Sequence, residues 1–93
     1  MHKWTNEDCE IVCSIFKKEF VDTYNNSVQD VITKIKNKCP LLNVGSIRMK
    51  ISNTVYLCDE FGIEHNCSIA VLSNYSQQHL DAFQKVFDVS QNF

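Results

Sequence analysis

Apolar positions recur at three- and four-residue steps in four stretches of the chain, and each stretch opens on a residue that can cap a helix. In the first, Cys9, Val12, Cys13, Phe16 and Phe20 make one stripe, widened by Ile11 and Ile15, with Lys17, Lys18, Glu19 and Asp22 on the wet side. Thr5 and Asp8 have the spacing of a capping box, and Trp4 and Cys9 are placed to staple the first turn. The pattern predicts a helix over residues 5–23, ending before Asn25-Asn26. Ser27 and Asp30 repeat the cap. Val28, Val31, Ile32, Ile35 and Cys39 then define a second helix over 27–39, closed by Pro40, which disfavours helical geometry at the residue before it.

The third stretch organises the rest. Ile47, Ile51, Val55 and Cys58 share one face of a helix predicted over 46–61, entered through a turn at 40–45. Asn43 or Ser46 can cap it, and Gly62 suits its C-terminal end. Arg48, Lys50, Ser52, Asn53 and Thr54 fall on or beside the opposite face. Ser76 opens a last helix over 76–88 with Leu80, Ala82, Phe83, Val86 and Phe87 inward, and the tail from Ser90 is expected to fray. Between these helices, Ser68-Ile69-Ala70-Val71-Leu72 is apolar without a helical period. It reads as an extended segment packed across the bundle, or as a single edge strand. The fold class is therefore mainly α: one domain over 1–93, a small helix-turn-helix-like bundle of about four helices.

Composition agrees with a folded domain. Ninety-three residues with ten aromatics, two Gly and one Pro can build a core and leave little room for low-complexity linkers. No apolar run approaches the roughly 20 residues of a membrane span, and the first residues lack a signal peptide's apolar centre. The expected location is the cytoplasm, with no membrane partner. Cys9, Cys13, Cys39 and Cys58 occupy apolar helical positions, and five cysteines cannot complete an intrachain disulfide framework. Cys9, Cys13, Cys58, His65 and Cys67 match no zinc spacing, so neither metal nor cofactor is expected. His2, His65 and His79 are scattered, His79 reads as a surface or packing residue, and no catalytic motif is present. The chain does not read as an enzyme.

Charge changes the picture more. From Val31 to Cys58 the chain carries five cations (Lys34, Lys36, Lys38, Arg48, Lys50) and no acid, while the remainder holds four cations and eleven acids. A basic middle between acidic flanks is the footprint of a phosphate-binding surface. Arg48, Lys50 and Asn53 would face bases from the third helix, since Arg or Lys reads guanine and Asn reads adenine, and Lys34, Lys36 and Lys38 would contact phosphates. A homodimer through the apolar last helix would double those contacts. The alternative is a phage or mobile-element inhibitor or adaptor, of anti-CRISPR or anti-restriction type. Its acids (Glu7, Asp8, Glu10, or Asp59, Glu60, Glu64) would occupy the positive channel of a bacterial nuclease or its nucleoprotein complex.

Ser46-Ile47-Arg48-Met49-Lys50-Ile51-Ser52-Asn53, with Leu57 following, resembles the signature of a small helical domain found ahead of HNH-type nuclease modules in bacterial restriction endonucleases. The Trp4-Thr5-x-Glu7-Asp8 helix start, the apolar second helix and the Pro before the turn are similar as well, so the resemblance covers residues 4–62. It implies a domain that helps engage target DNA through Ser46, Arg48, Lys50 and Asn53. The HNH motif itself is missing, so the resemblance implies no cleavage, and the domain would act by occupancy, as a regulator or with a partner.

Overall fold

Capped starts and apolar stripes become helices where the sequence pattern places them. The computed structural model describes residues 2–24 and 27–90. It contains α1 (Asn6–Phe16), continued by a π-helical segment (Lys17–Asp22), then α2 (Val28–Lys38), α3 (Val44–Glu60) and α4 (Gln77–Phe87). The protein is all-α, with no strand among the described residues. Asn25, Asn26 and residues 91–93, and with them most of the expected frayed tail, lie outside the described residues.

The caps act through their side chains. Thr5 Oγ1 accepts from the Asp8 N–H and Asp8 accepts from the Thr5 N–H, which completes the capping box of α1. Ser27 and Ser76 accept from the N–H groups of Asp30 and His79. Of the two candidate caps for α3 the chain uses Asn43, whose Oδ1 accepts from Ser46 N–H at 2.7 Å. The helix therefore starts at Val44, and Ser46 lies inside its first turn. At the other end Gly62 adopts φ +69°, with Ile63 N–H on the Cys58 carbonyl at 2.8 Å and Gly62 N–H on that of Asp59 at 3.4 Å, a Schellman closure.

α1 packs against each of the other three helices, most extensively against α4. Phe16, Phe20, Ile32, Ile35, Ile47, Ile51 and Phe83 are fully buried between them. Leu80, Ala82 and Phe83 of α4 are buried in this core, with Val86 and Phe87 packed on it. The apolar face that the sequence offers as a dimer interface is thus largely taken up inside the bundle.

Three expectations change. The helix over 5–23 widens into a π-helical segment, with Thr23 Oγ1 donating to the Lys18 carbonyl at 2.7 Å. Glu19 turns inward there instead of facing water, and its carboxylate meets Lys34 Nζ at 2.9 Å. α3 is buried around much of its circumference: Ser52, Asn53 and Thr54 are buried with the apolar stripe. Thr54 faces His79 of α4, and what covers Ser52 and Asn53 is the segment at 68–72, which is irregular, bends at Ile69 and pairs with no strand among the described residues. Leu72 N–H donates to the Ser52 carbonyl at 3.3 Å, and Asn53 Nδ2 donates to the Leu72 carbonyl at 2.8 Å.

Candidate functional site

The basic middle of the sequence folds into the C-terminal half of α2, the connection after it and the N-terminal half of α3. Its candidate side chains meet different fates. Lys34 is ion-paired with Glu19 and, at 3.4 Å, with Asp30. Lys36 Nζ donates to the carbonyls of Pro40 at 2.8 Å and Leu42 at 2.6 Å, closing the chain just past α2. Lys50 stands 5.2 Å from the centroid of the Trp4 ring, a cation–π contact. Ser46 is half-buried. Asn53 is 4 % exposed with its amide committed to Leu72, so it cannot present that amide to a base. Lys38 and Arg48 are exposed and form no ion pair among the described residues.

Part of this run gathers at one end of the molecule. The Asp8 carboxylate bears on Cys39, and Lys50 lies over Trp4, so the start of α1 sits beside the end of α2 and the first turns of α3. Carbonyl and ring partners leave the charges of Lys36 and Lys50 unneutralised. The local acid Asp8 is engaged by Thr5 and by His2 Nε2 at 2.8 Å. Burial acts to raise its carboxyl, but the hydrogen bonds from His2 and Thr5 outweigh that and hold it below the usual range.

The acids of the alternative reading fall in two places, at the start of α1 and at the far end of α3. Glu7 is exposed on α1, and Glu10 pairs with Lys85 of α4 at 3.1 Å. At the far end of α3, Asp59 meets His65 Nε2 at 3.1 Å, and the Glu60 carboxylate raises the Tyr56 hydroxyl above its ordinary value. Glu64 is exposed on the segment that follows.

Between α1, α3 and α4 lies a polar contact that periodicity does not reveal. Thr54 Oγ1 donates to the Lys50 carbonyl at 2.7 Å and accepts from His79 Nε2 at 2.8 Å, with Cys13 Sγ 3.8 Å from the same nitrogen. His79 is fully buried, and its Nδ1 has no hydrogen-bond partner among the described residues. Burial, helped by the Lys50 charge, lowers its pKa to about 3, so it is neutral. Sealed from solvent, it packs the α1–α3–α4 junction and has no access to a substrate. The five cysteines are free, buried thiols. Burial raises Cys9, Cys13, Cys39 and Cys67 and pushes Cys58 up to about 12, so all stay protonated and poorly nucleophilic. Among the described residues no group of His, Cys, Asp and Glu is placed to hold a metal ion, and no helix is long and apolar enough to cross a membrane.

One feature of the surface escaped the sequence pattern. Leu41 is 75 %, Met49 55 %, Val71 54 % and Val44 46 % exposed, and these four flank the start of α3 or the segment laid across it. Each falls outside an apolar stripe, which is the signal that marks them. Gly45, Arg48 and Met49 of α3 line a groove of about 420 Å³ with Ile69 to Leu72 on its other side. A second groove, of about 370 Å³, runs between α1 and α2, with Lys18, Lys34, Lys38 and Asn37 along it. Comparisons of the chain with protein-family models, with curated proteins and with solved structures return no match.

Proposed function

We propose that the chain is a DNA-binding domain that holds duplex chiefly through its phosphates, at the end of the bundle where α2 runs into α3. One observation carries this reading. The connection Cys39–Asn43 is flanked by Lys36, Lys38, Arg48 and Lys50, and none of the four is in an ion pair among the described residues. Phosphate contact needs only the charge and reach of such side chains, and the energy comes from the counterions they release. Base reading is narrower than the amphipathic pattern suggests. Asn53 is occupied and Lys50 leans on Trp4, which leaves Arg48 as the exposed group able to pair with guanine. Glu7 and Asp8 share this end and temper the field. The domain therefore binds duplex with modest affinity and little sequence preference, and it acts by occupancy or beside a partner that supplies selectivity.

The test is binding to a mixed-sequence duplex by fluorescence anisotropy across salt concentrations. Four phosphate contacts give a log–log slope of about −3 to −4. The informative variant is Lys38→Ala with Arg48→Ala, because neither side chain is in an ion pair among the described residues, and it should flatten the slope by about 2. No binding at low salt, or an unchanged slope in the variant, would remove the reading.

A further inference from the structure

The most exposed large apolar side chain among the described residues stands in the middle of the cations just assigned to the duplex, and the chain is built to hold it there. Leu41 is 75 % exposed, in the turn between α2 and α3. It follows the exposed Pro40, whose ring fixes its own φ. Buried residues anchor the turn on both sides: Cys39 before it and Leu42 after it, with the Leu42 N–H on the Cys39 carbonyl at 3.1 Å. Lys36 Nζ donates to the carbonyls of Pro40 and Leu42, which straddle Leu41. The Asn43 cap then fixes the first turn of α3. So held, the turn has no slack to fold its apolar apex back onto the bundle. Charge surrounds that apex. The Lys36 ammonium sits at its base, Lys38 precedes it, and Arg48 follows it, one helical turn beyond the half-exposed Val44. An isolated exposed leucine is ordinary on a protein surface. One on a fixed turn set among cations matches the way duplex-binding proteins push an apolar side chain between base pairs while cations hold the phosphates around it.

We propose that Leu41 is a wedge that enters a base step of the bound duplex, so that the domain selects DNA by how readily it unstacks. The proposal rests on the phosphate-binding reading and adds to it the kind of duplex that is held. Burying one leucine returns only part of what unstacking a base step costs, so the cost of opening the step decides where the domain sits. Pyrimidine–purine steps open cheaply, and a mismatch more cheaply still, because its stacking is already weakened. Selection of this kind needs no hydrogen bond to a base edge, which suits a surface on which the Asn53 amide is occupied. A lipid surface would also accept cations around an apolar tip. Leu41 and Val44 together, however, bring only about half the apolar carbons of a single myristoyl chain, and such a chain alone holds a bilayer only marginally.

The experiment uses the whole 93-residue chain. Duplexes of equal length carry at their centre an A-tract, a TA step or a single mismatch, with 2-aminopurine beside the central step to report unstacking. The parent chain should bind the mismatched duplex about tenfold more tightly than the A-tract, with the TA duplex between them. Binding should raise the 2-aminopurine fluorescence. Leu41→Ala should remove both the preference and the rise, and should leave the salt slope unchanged because no charge is altered. Leu41→Phe, which keeps a large apolar tip, should restore both. Leu41 is exposed, so neither change threatens the core, and equal helical circular dichroism and melting temperature would confirm it. Equal affinity for the three duplexes, or a preference that survives Leu41→Ala, would overturn the wedge. Binding with a steep salt slope and no 2-aminopurine rise would overturn the wedge alone and leave the phosphate reading standing, whereas no duplex binding at low salt would remove both. Binding to phosphatidylserine vesicles that is lost in Leu41→Ala, with no preference among the duplexes, would reassign the tip to a lipid surface.

Discussion

Asn53 carries an amide that could read adenine, and the fold uses it elsewhere. Its Nδ2 holds the Leu72 carbonyl and pins the covering segment onto α3. Asn53→Ala should therefore cost about 1–3 kcal/mol, the range for leaving a buried carbonyl unpaired. It should lower the melting temperature by roughly 5–15 °C and speed amide exchange around Leu72, while DNA affinity measured on folded protein stays put. A loss of DNA affinity at unchanged stability would return Asn53 to the contact surface. His79 gives a second prediction. Its folded pKa of about 3 lies below the ordinary 6.5, so between those values the unfolded chain binds a proton that the folded chain refuses. Stability is then complete above about pH 6.5 and falls as the pH drops towards 3, by roughly 3–5 kcal/mol in all. Denaturant titrations at pH 7.5, 5.5 and 4.5 should show that decline, and His79→Leu should flatten it over this window. A variant with the same slope as the parent would assign acid sensitivity to other groups.

At the scale of elements, the helices were legible because their signals are local. Thr5–Asp8 and Ser76 mark starts, Pro40 and Gly62 mark stops, and three- and four-residue spacing marks the inner face. What periodicity could not show was a second burial surface. An amphipathic stripe predicts one buried face, yet Ser52 and Asn53 are covered by a segment arriving about 20 residues later with no period of its own. The π-helical segment was hidden for a related reason. An extra residue per turn leaves composition unchanged, and it turned Glu19 from the wet side onto Lys34. Gly62 carries the prediction for this scale. Its φ of +69° strains any other L residue, so Gly62→Ala should destabilise by about 1 kcal/mol. Asn43→Ala should cost about the same through the lost cap on α3. Chemical denaturation of either variant that matched the parent would show that these ends are held by packing alone.

Across the whole molecule, charge and apolar exposure converge on the first turns of α3. The basic run from Val31 to Cys58 was plain in the sequence, but which of its charges remain available was not, because that depends on partners distant in the chain. Glu19 takes Lys34, carbonyls past α2 hold Lys36 and Trp4 receives Lys50. Lys38 and Arg48 remain as the exposed pair.

The most direct measurement is the salt dependence of duplex binding for the parent chain beside the Lys38→Ala/Arg48→Ala variant, with both confirmed as folded by their helical circular dichroism. The account predicts a steep slope for the parent and one shallower by about 2 for the variant. Equal slopes, or a parent chain that binds no duplex at low salt, would contradict it.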